Sequence, residues 1–448
     1  MSGKRSTLAP WLAAAILLLL GGMALLLAGC DLPTLEPPAS PEATTPTEPS
    51  PEAPTALPTD LVTPAATPVS AITLTVWTTE AFSPTQVLTS GQVLAQRVAD
   101  FEAENSDVRV GFVLKKPYGK GGILDYLLTT ALAVPDLLPD LAILDVEELG
   151  AAVQAGVVQP LDDLLPRDLV DDLYPFAREA ATYEGQLMGV QFQADLDHLV
   201  YDSGRLTVPP RSWPGVLSSS ATYVFPAGDR SGLVNDSFLV QYLAVRPWPS
   251  GAGSDETFLE ADSLTTVLEF YHDGITRGVF PAEILDHRTT EDCLSTYRAG
   301  EASLAQVSAH NYLVEHEELP RAAVAPIPAI RGAASPLSRG WVLVLVSTDA
   351  ERQDLAVELI TGLVAPETNA AWNRAVNYLP TRQSAIGSLD QADSYIRFID
   401  QQLQAARPRP RVANYAQVAA LLQTAVEDVI TGAATPEEAA AQVIESSP

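Results

Sequence analysis

The spacing of apolar residues along the chain changes repeatedly, and each change predicts a new element of secondary structure. Residues 72–77 alternate between apolar and polar side chains, which is typical of a strand, and residues 92–105 carry apolar side chains at helical spacing. The alternation continues in three further segments, a strand at 108–114, a helix at 123–133 and a strand at 141–144. Strands that alternate with helices predict a mainly parallel sheet covered by helices.

The later part of the chain repeats this pattern and ends in helices. A helix is predicted at 149–155, and a second series of strands and helices begins near Met188. The tail, residues 415–446, predicts two helices, and the second opens with Thr435 and Pro436, a favourable start for a helix. The folded body has about 380 residues, which is more than one compact core usually organises. The two series of elements therefore predict two lobes.

The N-terminal residues have the organisation of an export signal. Two basic residues at 4–5 precede an almost uninterrupted apolar run at 11–27. That run is near the lower length limit for spanning a bilayer of about 30 Å, so an uncleaved transmembrane anchor is the alternative interpretation. The Leu-Ala-Gly-Cys sequence at 27–30 resembles the lipobox of bacterial lipoproteins, in which the cysteine is lipidated. This resemblance implies a signal peptide at 1–29 and a lipid anchor on Cys30.

Composition separates a tether from the folded body. Pro, Thr, Ala, Ser and Glu dominate residues 30–70, a composition that buries too little apolar surface to fold and favours extended backbone. The chain carries 56 acidic and 26 basic residues, a formal charge of −30, which repels nucleic acid and anionic lipid headgroups. With Cys30 assigned to the lipid, Cys293 has no disulfide partner and is interpreted as a small buried hydrophobe.

Several short motifs in the body occur in an order that resembles one protein family. The most specific is Gly-Val-Val-Gln-Pro-Leu-Asp-Asp at 156–163. The others are Pro-Asp-Leu-Ala-Ile at 139–143, Tyr-Glu-Gly-Gln-Leu-Met-Gly-Val at 183–190, Leu-Val-Tyr-Asp at 199–202, Pro-Pro-Arg-Ser-Trp at 209–213, Tyr-Arg-Ala-Gly-Glu-Ala-Ser-Leu at 297–304 and Leu-Pro-Thr-Arg at 379–382. In this order they resemble the extracellular solute-binding proteins typified by maltose-binding protein.

This resemblance implies an α/β, two-lobed periplasmic-binding-protein fold of type II, with a mainly parallel sheet and flanking helices in each lobe and a hinge between them. The first lobe is expected at 71–192 and 335–388, and the second at 193–334 and 389–448. The implied function is capture of a small hydrophilic solute, with a sugar favoured, and delivery to the permease subunits of an ABC importer. The protein is then exported, anchored by its lipid to the outer face of the cytoplasmic membrane, and monomeric, with no catalytic residue, cofactor, metal or nucleic-acid partner.

Ligand contacts are expected from carboxylates, amides and aromatic rings, because a sugar offers hydroxyl edges and apolar faces. Asp195 lies on the expected crossing segment, where the resembled family often places an acidic contact, and Gln193 points to the same strand face. Asp145 and Glu147 follow a strand at its carboxyl end, although a solvated acidic loop explains them equally well. The other candidates are Trp341, Trp77, which is at least as often a core residue, Glu80, Ser308, His310 and Tyr378.

Three other functions are compatible with parts of the sequence. A glycoside hydrolase would need a placed pair of carboxylates, but no motif places one, and the sequence has no nucleophile elbow, His-Glu-x-x-His helix or Walker loop. The same binding fold could instead report its ligand to a membrane sensor. A polyamine would need several carboxylates between aromatic rings, and Asp145, Glu147 and Asp195 leave that ligand class open.

The lipid assignment predicts that Cys30→Ala releases the protein from the membrane. Expressed in a bacterium with its own signal sequence, the unchanged chain should fractionate with membranes and incorporate labelled palmitate. The variant should do neither, because the lipid is attached through that thiol. Cys293→Ala is the matched control and should behave as the unchanged chain. Membrane retention of the Cys30→Ala chain would support the uncleaved apolar anchor instead.

Overall fold

The computed structural model describes most of the folded body, namely residues 72–247, 258–319, 321–412 and 414–447. The predicted signal peptide, the tether and the lipidation site Cys30 lie outside these residues. Cys293 is buried, as predicted. Within the described ranges, no helix is both long and apolar enough to cross a membrane.

Strands and helices alternate along the described residues as the apolar pattern predicts. The strands are β1 (Ile72–Thr78), β2 (Val108–Leu114), β3 (Leu141–Asp145), β4 (Thr182–Tyr183), β5 (Gln186–Leu187), β6 (Val190–Asp202), β7 (Tyr223–Val224), β8 (Leu304–Ser308), β9 (Ala322–Ala325), β10 (Pro328–Ala329), β11 (Gly332–Ala333), β12 (Leu337–Leu345) and β13 (Arg407–Pro408). The helices are α1 (Thr89–Glu104), α2 (Ile123–Ala133), α3 (Leu149–Gln154), α4 (Arg167–Asp172), α5 (Pro175–Ala181), α6 (Trp213–Leu217), α7 (Asp236–Val245), α8 (Ala261–Thr276), α9 (Thr290–Arg298), α10 (Ala309–Glu315), α11 (Ala350–Leu363), α12 (Pro366–Ala375), α13 (Gln383–Gly387), α14 (Ser394–Ala405), α15 (Tyr415–Thr431) and α16 (Pro436–Ser446).

One continuous nine-stranded sheet runs through the body in the order β2-β1-β3-β12-β6-β8-β7, with β13 beside β12 and β9 beside β6. β1 pairs in parallel with β2 and β3, as the sequence predicts for the first lobe. β12 is antiparallel to both β3 and β6, and β6 is antiparallel to β8 and β9. The sheet is therefore mixed, because β6 leaves the first lobe and β12 returns to it in the opposite direction.

Two hydrophobic cores divide the body into lobes, and the chain passes between them along extended segments. On β6, Leu196 belongs to the first core and Leu199 to the second. On β12, Leu337 belongs to the second core and Val342 to the first. Residues 406–412 form a third connection, which begins in the first core and ends against the second. These connections together form the junction between the lobes.

The first core also includes a helix that the sequence-based boundary places in the second lobe. Tyr395, Ile399 and Leu403 of α14 are buried in the first core. The packing therefore favours a lobe boundary near residue 406 rather than at 389. An amphipathic pattern shows which face of a helix is buried but not which core it faces, so this helix could not be assigned from its sequence.

Two aspartates of the sequence motifs connect strands to their surroundings. Asp140 accepts the backbone N–H of Thr75 at 2.7 Å and pairs with Arg352 at 2.8 Å. Asp162 accepts the backbone N–H of Leu187 at 2.9 Å. A carboxylate that accepts backbone N–H groups satisfies donors that would otherwise be buried without a partner. The motifs therefore include residues that position the strands leading to the junction.

Gly340 is a point of close approach between β12 and β6. Its φ is +154°, and a Cβ at this position would lie 2.0 Å from the carbonyl oxygen of Gln193. Gly340→Ala must therefore push the two strands apart, and we expect it to lower the free energy of unfolding by about 1–3 kcal/mol, measured by urea denaturation. Gly387→Ala is the matched control, because a Cβ there meets nothing within 4 Å. Equal stability of the two variants would contradict this account.

Candidate ligand-binding cleft

Three neighbouring strands present polar and aromatic side chains on one face of the sheet at the junction. Trp341 on β12 lies opposite Asp145 on β3 and opposite Gln193 on β6. Asp195 is two residues beyond Gln193 and lies opposite Arg339. Cross-strand partners share a face, and so do residues two apart on a strand. The sheet therefore brings together four of the predicted residues and adds Arg339, which the sequence reasoning did not select.

A cavity of about 420 Å³ opens on this face. Its lining includes the predicted residues Glu80, Gln193, Trp341 and Tyr378, together with Tyr118. The ring centroids of Tyr118 and Trp341 lie 5.8 Å apart, so the two rings form one continuous aromatic wall. This volume falls within the range of about 300–1,000 Å³ that small-molecule sites occupy.

Tyr118 and Gln193 supply polar groups beside the aromatic wall. Tyr118 is 52% exposed, and its hydroxyl donates to Oδ2 of Asp145 at 2.7 Å. Burial, together with that carboxylate, raises the pKa of Tyr118, so its hydroxyl remains a donor at neutral pH. Gln193 is only 3% exposed, and its Oε1 has no hydrogen-bond partner among the described residues. Its amide therefore retains an unused acceptor beside the cavity.

Arg339 lies at the centre of a group of carboxylates next to this cavity. Its Nη2 atom is 3.2 Å from Asp195 and 2.6 Å from Asp197, and its Nη1 atom is 3.1 Å from Asp236. Asp195 also accepts the backbone N–H of His310 at 3.1 Å. Asp195 thus has a counterion and a backbone donor already, so it is less available to a ligand than its position in the sequence suggests.

Arg409 extends this group of charges to the first lobe. Its guanidinium lies 2.5 Å from Asp236 and 2.7 Å from Glu147, which follows β3. Burial opposes ionisation of Asp236, but the two arginines outweigh it and hold the pKa of Asp236 below its usual range. The carboxylates surround arginines, and within the described ranges no group of three or more His, Cys, Asp or Glu residues is arranged to hold a metal ion.

Six of the ten predicted residues do not line the cavity, namely Asp145, Glu147, Asp195, His310, Trp77 and Ser308, and the last two have structural roles elsewhere. Trp77 is 6% exposed in the first core, with its ring edge-on to Tyr126 and Nζ of Lys115 at 4.7 Å from its centroid. Its burial agrees with the alternative interpretation of a core residue. Ser308 is the N-cap of α10 and accepts the backbone N–H of Asn311 at 3.1 Å, so its hydroxyl is used by the helix.

His310 does not line the cavity but packs against a residue that does. Its ring stacks on Tyr378 with centroids 4.0 Å apart, and Tyr378 lines the cavity. Nδ1 of His310 lies 2.9 Å from the carbonyl oxygen of Asn377. These contacts fix the histidine ring, so His310 positions the tyrosine that faces the cavity.

Four residues of the cleft were missed by sequence reasoning, and only two of them had a usable local signal. Tyr118 lies shortly after the carboxyl end of β2, the same edge of the sheet that suggested Asp145. Arg339 is two residues from Trp341 on one strand and shares its face. Asp236 and Arg409 had no such signal, because only the fold brings them to the junction.

Two α/β lobes joined by extended segments, with a cavity on the sheet they share, define the class of two-lobed solute-binding proteins. Residues 96–394 match the family described as bacterial extracellular solute-binding proteins, and this chain belongs to that family. The predicted family is thereby confirmed, and family membership makes this an exported protein that binds a solute.

Similar proteins include several whose names state a ligand. A maltotriose-binding protein of Pyrococcus abyssi (strain GE5 / Orsay) is 27% identical over 95 residues, 21% of this chain and 21% of that protein, so the match spans about a fifth of its length. The cyclic α-maltosyl-1,6-maltose binding protein of Arthrobacter globiformis has a TM-score of 0.64 and 19% identity, over 84% of this chain and 98% of that one. Maltose-bound MalE3 of T. maritima has a TM-score of 0.61 and 21% identity, also over 84% and 98%. These likenesses confirm the predicted fold.

Glu148 should make the stability of the protein depend on pH. Burial, followed by the charge of Asp145, raises the pKa of Glu148 to about 7, and its Oε2 has no hydrogen-bond partner among the described residues. The folded protein therefore keeps a proton that the unfolded chain releases at its ordinary, lower pKa, so stability falls as pH rises through the interval between the two.

Glu148→Gln removes this titration. The melting temperature of the variant minus that of the unchanged protein should therefore increase from about pH 5 to about pH 8, measured by thermal denaturation. Glu301→Gln, at an exposed position, is the charge-matched control and should show no such growth. A difference that is independent of pH at Glu148 would contradict the assignment.

Proposed function

We propose that this protein captures a neutral oligosaccharide between its lobes and delivers it unchanged to the permease subunits of an ABC importer. The observation that carries the proposal is the lining of the cavity. Tyr118 and Trp341 offer aromatic faces, and Gln193 offers an amide with an unused acceptor. Sugars present apolar C–H faces to aromatic rings and hydroxyl groups to amides and carboxylates. The ligands in the names of the similar proteins support the same class of solute.

The charges around the cavity favour a neutral ligand over a polyamine. Asp195 is paired with Arg339, Asp145 accepts the hydroxyl of Tyr118, and Glu147 is paired with Arg409. A polyamine would have to compete with these partners and would leave a partly buried arginine without its counterion, which is costly. Glu80 lies exposed at the lining and is suited to accept hydroxyl groups of a sugar.

The arrangement of the lobes suits reversible capture. Hinge closure over the cavity removes a ligand from water and presents to the permease a surface that the open form lacks. The proposal includes a lipid on Cys30, which keeps the protein beside the transporter, and a monomer as the working form. It includes no catalytic residue, because the carboxylates at the junction are held by arginines and the ligand is to be released intact.

Isothermal titration calorimetry of the mature chain tests the ligand class. The panel consists of maltose, maltotriose, longer maltodextrins, spermidine and amino acids. We expect saturable binding of an oligosaccharide, and Tyr118→Ala should weaken it about tenfold, ~1.4 kcal/mol, because a stacking face is lost. Tyr126→Ala is the matched control, since Tyr126 is also partly exposed, at 40%, but does not line the cavity.

Other outcomes of the titration would redirect the proposal. Binding of spermidine without any oligosaccharide would overturn the sugar assignment. Shorter saccharides appearing in the same samples would identify a hydrolase. Uptake into vesicles that contain the permease subunits tests delivery, and an oligosaccharide that binds tightly without being transported would favour the sensor role.

A further inference from the structure

A second and larger cavity, of about 1050 Å³, shares no lining residue with the cavity of about 420 Å³ in the cleft. It is bounded by α5 of the first lobe, by the turn between β10 and β11 of the second lobe, and by residues 407–411 of the third connection. Five lining residues are arginines, at positions 178, 331, 407, 409 and 411, against the glutamates at 179 and 184. Five positive charges against two negative charges leave the lining at +3, in a chain whose formal charge is −30.

Two of these arginines already have structural roles. Arg411 donates to the carbonyl oxygens of Thr182 and Ala180, both at 2.7 Å, and its guanidinium lies 3.5 Å from the ring centroid of Tyr183. Arg409 is paired with the carboxylates of the junction, as described above. Neither guanidinium is therefore available to an added ligand.

The other three arginines are available. Arg178 and Arg331 are exposed, and among the described residues neither side chain forms an ion pair or a hydrogen bond. Arg407 is 57% exposed, and its nearest carboxylate, that of Glu179, is 3.8 Å away, which is long for a charge-assisted hydrogen bond. The cavity thus holds three guanidinium groups without a close counterion.

These three residues come from different parts of the fold. Arg178 lies on α5, whose residues Phe176 and Ala177 are buried in the first core. Arg331 lies in the turn after Ala329, which belongs to the second core. Arg407 lies on β13, between the lobes. A ligand that contacts all three therefore contacts residues of both lobes.

We propose that this cavity binds a multivalent oxyanion, a polycarboxylate or an oligophosphate, held between Arg178, Arg331 and Arg407. A guanidinium group matches the geometry of carboxylate and phosphate oxygens and can bind them in a bidentate manner. Several negative charges in one molecule suit the site, because the three arginines stand on separate elements and each can take a charged oxygen. The ligand class differs from that of the cleft, where the arginines already have carboxylate partners.

Calorimetric titration of the mature chain with sodium tripolyphosphate and, separately, with citrate tests the proposal at constant ionic strength. We expect saturable binding of at least one of the two anions. The anion that binds more tightly shows whether the site prefers phosphate or carboxylate. Arg178→Ala and Arg331→Ala should each weaken binding at least about fivefold, because each removes a charge-assisted contact. The control is Arg374→Ala on α12, which removes an exposed arginine outside the cavity.

The double variant Arg178→Ala/Arg331→Ala shows whether both arginines hold the same anion. If they do, the double variant should lose saturable binding altogether while its far-ultraviolet circular dichroism remains unchanged. Absence of saturable binding of both anions to the folded, unchanged chain would overturn the proposal. So would an affinity that is the same in both single variants as in the Arg374→Ala control. No sugar is present in these titrations, so their failure is separate from failure of the proposed transport function.

Discussion

The pairing of Arg339 with three aspartates is the interaction on which the junction between the lobes depends. The carboxylates lie within 3.2 Å of its guanidinium group, two from β6 and one, that of Asp236, from the first turn of α7. Removing the arginine would leave buried charges without a counterion, at a cost of several kcal/mol. Arg409 joins Asp236 to Glu147 and so brings the first lobe into the same set of charges. This one group of charges therefore lies beside the cleft and includes residues of the shared sheet and of both lobes.

The same pairing decides what chemistry remains for a ligand. In the cleft, the aspartates and arginines satisfy one another, which leaves the rings of Tyr118 and Trp341 and the amide of Gln193 at the surface of the cavity. In the second cavity, Arg178 and Arg331 have no carboxylate partner among the described residues. The two proposed sites therefore differ in charge because the fold places carboxylates beside the arginines of the cleft but not beside Arg178 and Arg331.

Part of the candidate cleft could be predicted because strand periodicity places residues on faces. Gln193 and Trp341 share a face of neighbouring strands and line the cavity, whereas Trp77, near the end of its strand, is buried in the first core. Ser308 was selected from its place at the end of a strand, but its hydroxyl caps the helix that follows. Position along an element thus indicated where polar groups meet, but not whether their hydrogen-bond donors and acceptors already had partners.

The sequence by itself determined the elements, since the period of apolar positions and the capping residues are local. β2 and α2 begin and end at the predicted residues, and at the predicted helix start Thr435 forms a capping box with Glu438. Only the tertiary structure decided which core receives α14 and which charges pair at the junction. Asp236 and Arg409 are 173 positions apart along the chain, and no local pattern states that they meet. Periodicity reports the face that each element buries, whereas pairing across the junction depends on how all the elements pack together.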